Sequence, residues 1–476
     1  MANMENNAPK ESVVLCRTNQ GIEIRAGILR LTRHLVVFEI ITPGVVLQLS
    51  EVLGDFKILL DERAAYSGRA VISSVVHTGT TMVCEATLDE ACLDARTFGV
   101  VNSPDQVRAG FEEFVRDWGK SYRILPEFKL LISDMHNYLS DLRLWLEQVE
   151  LGIRSAPSGD RSDLEREVLT ELRKTLVPSL NALFEKFEVV ASRVEPGDKP
   201  AHRLFVRRQI HPLVFCAPFA YRTFHKPLGY PGDYEMVNMI LRDPFEGGSL
   251  FAKAFNDWFL SQPPAEAHRN RIKFLTQQLV QETARVAAQG RTARVFNLGC
   301  GPAVEVQRFL AEQALANQAD LTLLDFNNET IAYTTGVLQE LKLRHHRSTR
   351  INLIKKSVGQ MLKGRGRTTS SGPDSKFDLV YCAGLFDYLP DQHCRQLMNI
   401  FYDMLAPGGL LLATNVDSSN PRCLTMEYMM EWVVVYRNGA QMAALKPDAV
   451  EADAFTVQSD VTGVNIYVSA RKPLSE

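Results

Sequence analysis

Residues 295–303, VFNLGCGPA, constrain the chain more than any other segment. An apolar run ends in a glycine-rich turn and passes from Val304 into an amphipathic stretch. That is the pattern of a strand, a tight turn and a helix. Gly299 and Gly301 let the backbone turn sharply and leave no side chain between main chain and ligand. The helix start beyond them offers free N–H donors suited to a carboxylate or a phosphate. β-rich runs at 293–298, 320–325, 350–355, 378–382 and 409–415 alternate with helical patterns around this turn, and further helical patterns at 250–260 and 268–288 precede it. Such alternation builds an open, doubly wound parallel sheet with helices on both faces. Runs 454–459 and 464–469, joined at Thr462-Gly463, add a terminal antiparallel hairpin and bring the expected sheet to seven strands.

A second element lies in LTLLDFN. Asp325 ends the next strand, 24 residues after Gly301. A carboxylate there can accept both hydroxyls of an unphosphorylated ribose, with Phe326 beside it to pack on adenine. The bland alternative is an Asp that caps the following helix. A third element is KFDLVYCAGLFDYLPD, in which Ala383 and Gly384 are small and Phe386, Asp387 and Tyr388 face the substrate side. A fourth is the helix-to-strand turn MLAPGGLLLATNV. In order and spacing the four resemble a class I S-adenosylmethionine-dependent methyltransferase over about residues 290–470. The resemblance implies that Asn297, Gly299, Cys300, Gly301, Pro302, Asp325, Phe326, Ser357, Ala383 and Gly384 hold S-adenosylmethionine. The family's first motif, E/D-x-G-x-G-x-G, is met with two departures: Asn297 stands at the acidic position and Ala303 at the third glycine. A nicotinamide dehydrogenase is disfavoured, because its fingerprint expects glycine where Val304 stands.

The segment FAYRTFHKPLGYPGDYEMVNMI, residues 219–240, is dense in aromatic and titratable groups. Gly229, Pro231 and Gly232 would hold it as a fixed loop, and such loops carry function on a rigid scaffold. Tyr230 is expected on the substrate side, with Phe386, Tyr388, Trp432 and Arg271. In AHRNRIKFL, Arg269 and Arg271 sit where one could pair with an acidic acceptor or with the cofactor carboxylate. Trp432, Tyr436 and Arg437 in MEWVVVYR would form a lid or one helical face. If the acceptor were a hydroxyl or an amine, a base would be required, and His225 and Asp233 are the catalytic candidates.

The combination GYPGDYEMVN, AHRNRI, NLGCGPA and FDLVYCAGLFDYL also resembles bacterial methyltransferases of 3-hydroxy fatty acid methyl ester synthesis, including the 3-hydroxypalmitate ester. That resemblance spans about residues 200–470 and implies methyl transfer to a fatty acid carboxylate. Two other classes stay open: a methyltransferase acting on another small molecule or a protein, and a non-catalytic regulator that binds the cofactor.

The N-terminal half reads differently. Short β-rich runs at 12–17, 22–29, 34–41, 45–49, 56–60, 70–77 and 81–86, the last two around Thr78-Gly79, suggest a small barrel or sandwich over residues 10–100. YSGRAVISSVVHTGTTMVCEATL resembles part of a PilZ-type barrel. The R-x-x-x-R and D/N-x-S-x-x-G motifs of cyclic-dinucleotide binding are absent: Arg25, Arg30 and Arg33 have the wrong spacing, and Ser67 stands alone. Over residues 105–195, Leu131, Met135, Tyr138, Leu142, Trp145 and Val149 follow a heptad seam, and Leu169, Leu172, Leu176, Leu180, Leu183, Phe187 and Val190 mark a second helix with a kink expected at Pro178. The hairpin would either dimerise the chain or pack on it. Residues 203–290 form a helical cap before the sheet of residues 291–476.

Composition bounds the partners. Lys plus Arg is 53 and Asp plus Glu is 56, a net charge of -3, so neither a nucleic-acid binder nor a polybasic membrane anchor is expected. No run of about 18 apolar residues marks a membrane span, and the polar start MANMENNAPKES is not a signal peptide. The eight cysteines form no C-x-x-C pair, and His345 and His346 are a surface pair, so no metal site is expected and reduced thiols in the cytoplasm are the natural reading.

Overall fold

The computed structural model describes residues 12–32, 34–41, 45, 47–60, 63–77, 81–89, 104–121, 124–157, 159–363 and 376–474. The chain divides into two compact units. One comprises Met1–Tyr138, Val189–Pro212 and Lys226–Tyr230; the other comprises Leu139–Glu188, Leu213–His225 and Pro231–Glu476.

The first unit holds β1 (Val13–Arg17), β2 (Glu23–Leu31), β3 (Leu35–Ile40), β4 (Val52–Leu60), β5 (Arg63–Ser67), β6 (Ala70–His77) and β7 (Met82–Leu88). The strand order is β1-β2-β3-β7-β6-β4-β5, and β1 also pairs with β4. Six antiparallel strands therefore close on themselves, with β5 folded back on β4. Closure removes the exposed edges that a small open sheet would present. Alternate side chains point inward: Val36, Phe38 and Ile40 on β3, and Met82, Cys84 and Ala86 on β7, are buried. Phe56 contacts both Phe38 and Tyr66, with ring centroids 6.2 Å apart in each case.

Two details differ from the sequence reading. The described part of 45–49 forms no strand, although Val45 and Leu47 are buried. These side chains fill the barrel without pairing their backbone, so apolarity alone misleads. Conversely, β5 carries RAAYS, too weakly alternating to signal a strand. The Thr78-Gly79 turn lies outside the described residues.

The helices that follow are α1 (Pro104–Ser121), α2 (Pro126–Arg154), α3 (Arg161–Ala191) and α4 (Lys199–Val214). The buried stripe of α2 is Phe128, Ile132, Met135, Leu139, Leu146 and Ile153, whereas Tyr138 and Trp145 are exposed at 37% and 53%. Leu131 and Met135 are buried as the seam expects, but further along the buried row shifts by one residue, from Tyr138 to Leu139 and from Trp145 to Leu146, because α2 is apolar on two adjacent faces. Helix α3 runs through Pro178 without a break. Leu169, Leu176, Leu180 and Phe187 are buried as expected. Within the second unit, Phe184 lies 4.2 Å from Trp258 and Phe187 lies 5.7 Å from Tyr428, centroid to centroid. This end of the hairpin packs on its own chain.

The second unit continues with α5 (Pro218–His225), α6 (Tyr234–Leu241), α7 (Leu250–Leu260) and α8 (Pro263–Ala287). Then come β8 (Ala293–Leu298), α9 (Val304–Glu312), β9 (Ala319–Asp325), α10 (Asn328–Arg344), β10 (Arg350–Lys355), α11 (Val358–Lys363), β11 (Phe377–Cys382), α12 (Asp391–Met404), β12 (Leu405–Val416), α13 (Cys423–Met430), α14 (Gly439–Ala443), β13 (Phe455–Ser459) and β14 (Asn465–Arg471). The seven strands lie in the order β10-β9-β8-β11-β12-β14-β13. The first five are parallel, and β14 runs antiparallel to both neighbours. All six residues of β11 are buried, as a central strand covered on both faces requires. From β8 the chain winds outward through β9 to β10 and returns to β11 on the other side. That reversal opens a crevice at the carboxyl ends of β8 and β11, where ligands of open parallel sheets bind. Among the described residues no helix is long and apolar enough to cross a membrane.

Glu51 supplies a test of the first unit. Its side chain is buried and bridges two segments, accepting the Asn19 N–H at 2.9 Å and the Gln48 N–H at 3.0 Å. Burial pushes its pKa from 4.5 up to about 7, against the pull of those donors. A raised acid binds its proton more tightly in the folded state. Its stabilising contribution is therefore full below pH 4.5 and is lost as pH rises towards 7. Across that window the wild type is expected to lose roughly 3 kcal/mol that Glu51→Gln does not lose. Urea melts at pH 4.5 and 7.5 measure the difference, and parallel curves would refute it.

Candidate functional site

The turn after β8 has the geometry its glycines foretell. Gly299 has φ 76°, Gly301 has φ 51° and Ala303 has φ 51°. The N–H groups of Gly299 and Cys300 both donate to the Leu324 carbonyl, at 2.8 and 2.9 Å, and tie the turn to β9. Asp325 completes the tie. One carboxylate oxygen accepts the Gly301 N–H at 3.1 Å and the other accepts the Asn327 N–H at 3.0 Å. The cap of α10 is Asn327, whose side chain accepts the Thr330 N–H at 3.1 Å, so Asp325 braces the turn and is not the helix cap, and its backbone donors leave carboxylate lone-pair capacity unused. Burial raises the pKa of Asp325 and its backbone donors oppose the rise. A Cβ at Gly301 would meet nothing within 4 Å, so the space before this turn is open. The Cys300 thiol is pushed well above its usual range by burial and acts as packing.

Asn297, at the end of β8, is 2% exposed. Its amide nitrogen donates to Glu305 at 3.3 Å, while its amide oxygen is buried without a partner. Glu305, in the first turn of α9, also accepts the Tyr381 hydroxyl at 2.7 Å. Burial raises its pKa and Arg271 counters the rise. A carboxylate eight residues further on thus sits against the Asn297 amide. Its signal was legible as a glutamate in the first turn after the glycine loop, but sequence reasoning passed over it.

Arg271, on α8, is 8% exposed. One guanidinium nitrogen donates to Nε2 of His268 at 2.7 Å. A Cβ at Gly384 would stand 3.1–3.4 Å from the guanidinium, so the glycine after β11 makes room for the arginine. Gly384 itself has φ 86° and donates its N–H to the Thr414 hydroxyl at 3.1 Å. Asp387 accepts the Val416 N–H at 2.7 Å, and burial raises its pKa to about 6 against the pull of Arg271. Tyr388 accepts a hydrogen bond from the Trp432 indole at 2.9 Å, which brings two expected substrate residues together.

Other expected site residues fall elsewhere. Asp233 is buried, takes both arms of Arg222 at 3.0 and 2.7 Å, and caps α6 through the Met236 N–H at 2.8 Å. Both oxygens are engaged in holding Arg222 and the start of α6, a structural role. His225 is exposed, stacked 4.0 Å from Tyr221, and bonded through Nδ1 to the Tyr221 carbonyl. It joins none of the loops above. Phe386 is 0% exposed and belongs to the core. Ser357 caps α11 reciprocally with Gln360. Ala383 and Phe326 are half-buried at the strand ends, beside Gly384 and Asp325, and Pro302 accepts the Gln307 amide at 2.6 Å. Tyr230 falls in the other unit. Arg269 spends its guanidinium on Glu266 and on the carbonyls of Ile240 and Leu260.

Residues 432–438 form no helix. Arg437 is 1% exposed and donates to the carbonyls of Phe386 and Leu389, to Asn415 and to Asp391 at 2.6–2.8 Å. It bolts the loop after β11 to the end of β12. Among the described residues no cluster of three or more His, Cys, Asp or Glu could hold a metal ion.

Residues 296–411 match the family model described as "Methyltransferase domain", and that part of the chain is a methyltransferase domain. No curated protein matches the chain. Solved structures similar to it include a possible exported protein from Bordetella parapertussis, at 17% identity and TM-score 0.40, covering 67% of this chain and 99% of that one. Another is the N-methyltransferase NodS from Bradyrhizobium japonicum with S-adenosyl-l-homocysteine, at 18% identity and TM-score 0.29, covering 50% and 98%. A third is an O-methyltransferase family protein from Burkholderia thailandensis, at 16% identity and TM-score 0.30, covering 51% and 69%. At these scores the likenesses carry no argument about substrate.

The turn after β11 is tested by Gly384→Ala. The added methyl would sit in a left-handed backbone and against the Arg271 guanidinium. A loss of about 1–2 kcal/mol in unfolding free energy is expected. A denaturant midpoint equal to that of the wild type would show that this turn does not depend on glycine.

Proposed function

We propose that the chain uses S-adenosylmethionine to methylate the carboxylate of a small apolar acid, such as a 3-hydroxy fatty acid. The observation that carries this reading is Arg271, a buried cation at the crevice that forms no ion pair among the described residues. A buried guanidinium without a carboxylate is unfavourable unless an anion arrives to meet it. A fatty acid carboxylate is such an anion, ionised at neutral pH.

The residues fit the cofactor. The open space at Gly301, the unused lone pairs of Asp325 and the unpartnered oxygen of Asn297 all lie at the strand ends that border one crevice. When bound, S-adenosylmethionine supplies an electrophilic methyl group that passes to a carboxylate oxygen as its carbon–sulfur bond breaks. Asp325 would accept the ribose hydroxyls. Arg271 would hold the acceptor carboxylate in line. Tyr388 and Trp432, joined to each other, would bound the acceptor side. An ionised acceptor gives up no proton, so no base is required and catalysis rests on alignment and exclusion of water. Asp233, which is fully engaged, and His225, which is stacked at the surface, are then free of any catalytic duty. As charge vanishes from the acceptor on esterification, Arg271 loses its hold and the product is released.

The closed barrel supports reading residues 10–100 as a PilZ-like module. Without the nucleotide motifs it would serve docking rather than cyclic-dinucleotide binding. Leu144, Trp145 and Leu151 on α2 are exposed and would be the contact surface of a homodimer.

Calorimetric titration with S-adenosylmethionine is expected to give micromolar binding, weakened at least tenfold by Asp325→Ala, on the order of the 1.5–3 kcal/mol of a charge-assisted hydrogen bond. No binding by the wild type would refute the reading. Arg271→Gln is expected to raise KM for 3-hydroxy fatty acids at least tenfold while the cofactor still binds. Equal turnover of acids by wild type and Arg271→Gln would remove the carboxylate assignment.

A further inference from the structure

The chain treats its buried arginines in two ways. Arg437 is surrounded by protein acceptors, with Asp391 among them. Arg422 donates to Gln262 at 2.8 Å and has Glu185 at 3.8 Å. Arg271 is buried to the same degree, yet its hydrogen-bond partner is an imidazole, His268. The two residues lie three apart on α8, so the helix itself stacks them on one face. Nε2 of His268 accepts from the guanidinium at 2.7 Å. A ring nitrogen can accept only when it carries no proton.

The surroundings keep the imidazole in that form. Burial lowers the pKa of His268 well below its ordinary value, and Arg271 and Arg269 lower it further. The acids that feel Arg271 are already committed. Glu305 holds the Tyr381 hydroxyl and the Asn297 amide, and Asp387 holds the Val416 N–H. Neither comes within ion-pairing distance among the described residues. Gly384 leaves the space that the guanidinium fills. The arginine is thus aimed by a neutral partner, and its full positive charge is retained at the crevice.

We infer that His268 is a specificity-determining positioning residue: it fixes the Arg271 guanidinium without neutralising it, so that the crevice takes an anionic acceptor and rejects its neutral counterpart. A glutamate or aspartate at the same place would orient the arginine equally well and cancel its charge. The inference deepens the acid-methylating reading and rests on it for the identity of the anion. It concerns binding as well as turnover, so the two can fail separately.

The experiment compares wild type, His268→Gln and His268→Glu. Gln keeps a neutral acceptor within reach of the guanidinium, and Glu substitutes a charged one. Calorimetry in saturating S-adenosylhomocysteine measures binding of 3-hydroxydecanoic acid and of 1,3-decanediol, its neutral counterpart. Steady-state assays measure methyl transfer to the acid, and thermal melts report folding. For His268→Glu, a rise of at least tenfold in Kd and KM for the acid is expected, with kcat within threefold and cofactor affinity unchanged. Its preference for acid over diol should collapse. His268→Gln should retain wild-type preference within threefold.

Equal impairment of both variants would show that shape and not charge is at issue, and would overturn the inference. So would a loss confined to cofactor affinity, which would place Arg271 on the cofactor carboxylate. Acid binding that follows the expected pattern without any methyl transfer would uphold the inference and refute the function. A wild type that does not prefer the acid would overturn the inference outright.

Discussion

The carboxylate of Asp325 is the point through which the crevice at the ends of β8 and β9 is assembled. It closes β9, braces the turn after β8 through the Gly301 N–H and starts the turn into α10 through the Asn327 N–H. Two segments 24 residues apart, the turn at Gly301 and the end of β9, are thus tied through one carboxylate. The bonds from Gly299 and Cys300 to Leu324 fix the backbone around them. Because the turn spends left-handed conformations at positions 299, 301 and 303, it needs this external bracing to stay in place. Ala303 shows the strength of the constraint, since it adopts a left-handed backbone without being glycine.

The sheet was legible because its central strands, β8, β11 and β12, are buried on both faces and therefore read as short apolar runs between glycine and polar breaks. The ends of β8 and β10, the start of α9 and both ends of α7 fall where the residues point. The barrel was less legible. Its closure depends on β1 pairing with β4, a contact between residues some 40 apart that no local pattern encodes. Helix α2 illustrates another limit. Trp145 and Leu146 are both apolar, yet Leu146 is buried and Trp145 exposed, and which of the two rows turns inward is decided by the surface it meets.

The candidate site divides along the same line. Gly299, Gly301, Asp325 and Gly384 announced themselves, because close approach and positive φ demand particular residues. Asp233 stands in a loop of aromatics, and its part as a helix cap held by Arg222 follows from packing that the sequence does not report. Glu305, His268 and Arg437 were passed over or misjudged for a related reason. A glutamate, a histidine and an arginine are commonplace on helices and in loops, and their meaning comes from burial. Burial is a property of the whole packing, and no spacing rule reports it.

The residues Lys226–Tyr230 belong by contact to the barrel unit, and Val52 of β4 donates its N–H to the Gly229 carbonyl at 2.8 Å. Their covalent neighbours on either side belong to the other unit. The first unit is therefore drawn from three separate stretches of chain, and it is not whole until residue 230 has been made. On the ribosome the barrel strands emerge well before the short piece at residues 226–230 that belongs with them. No single cut divides the polypeptide into its two units, so neither could have been gained or lost by simple end-to-end fusion of the boundaries seen now.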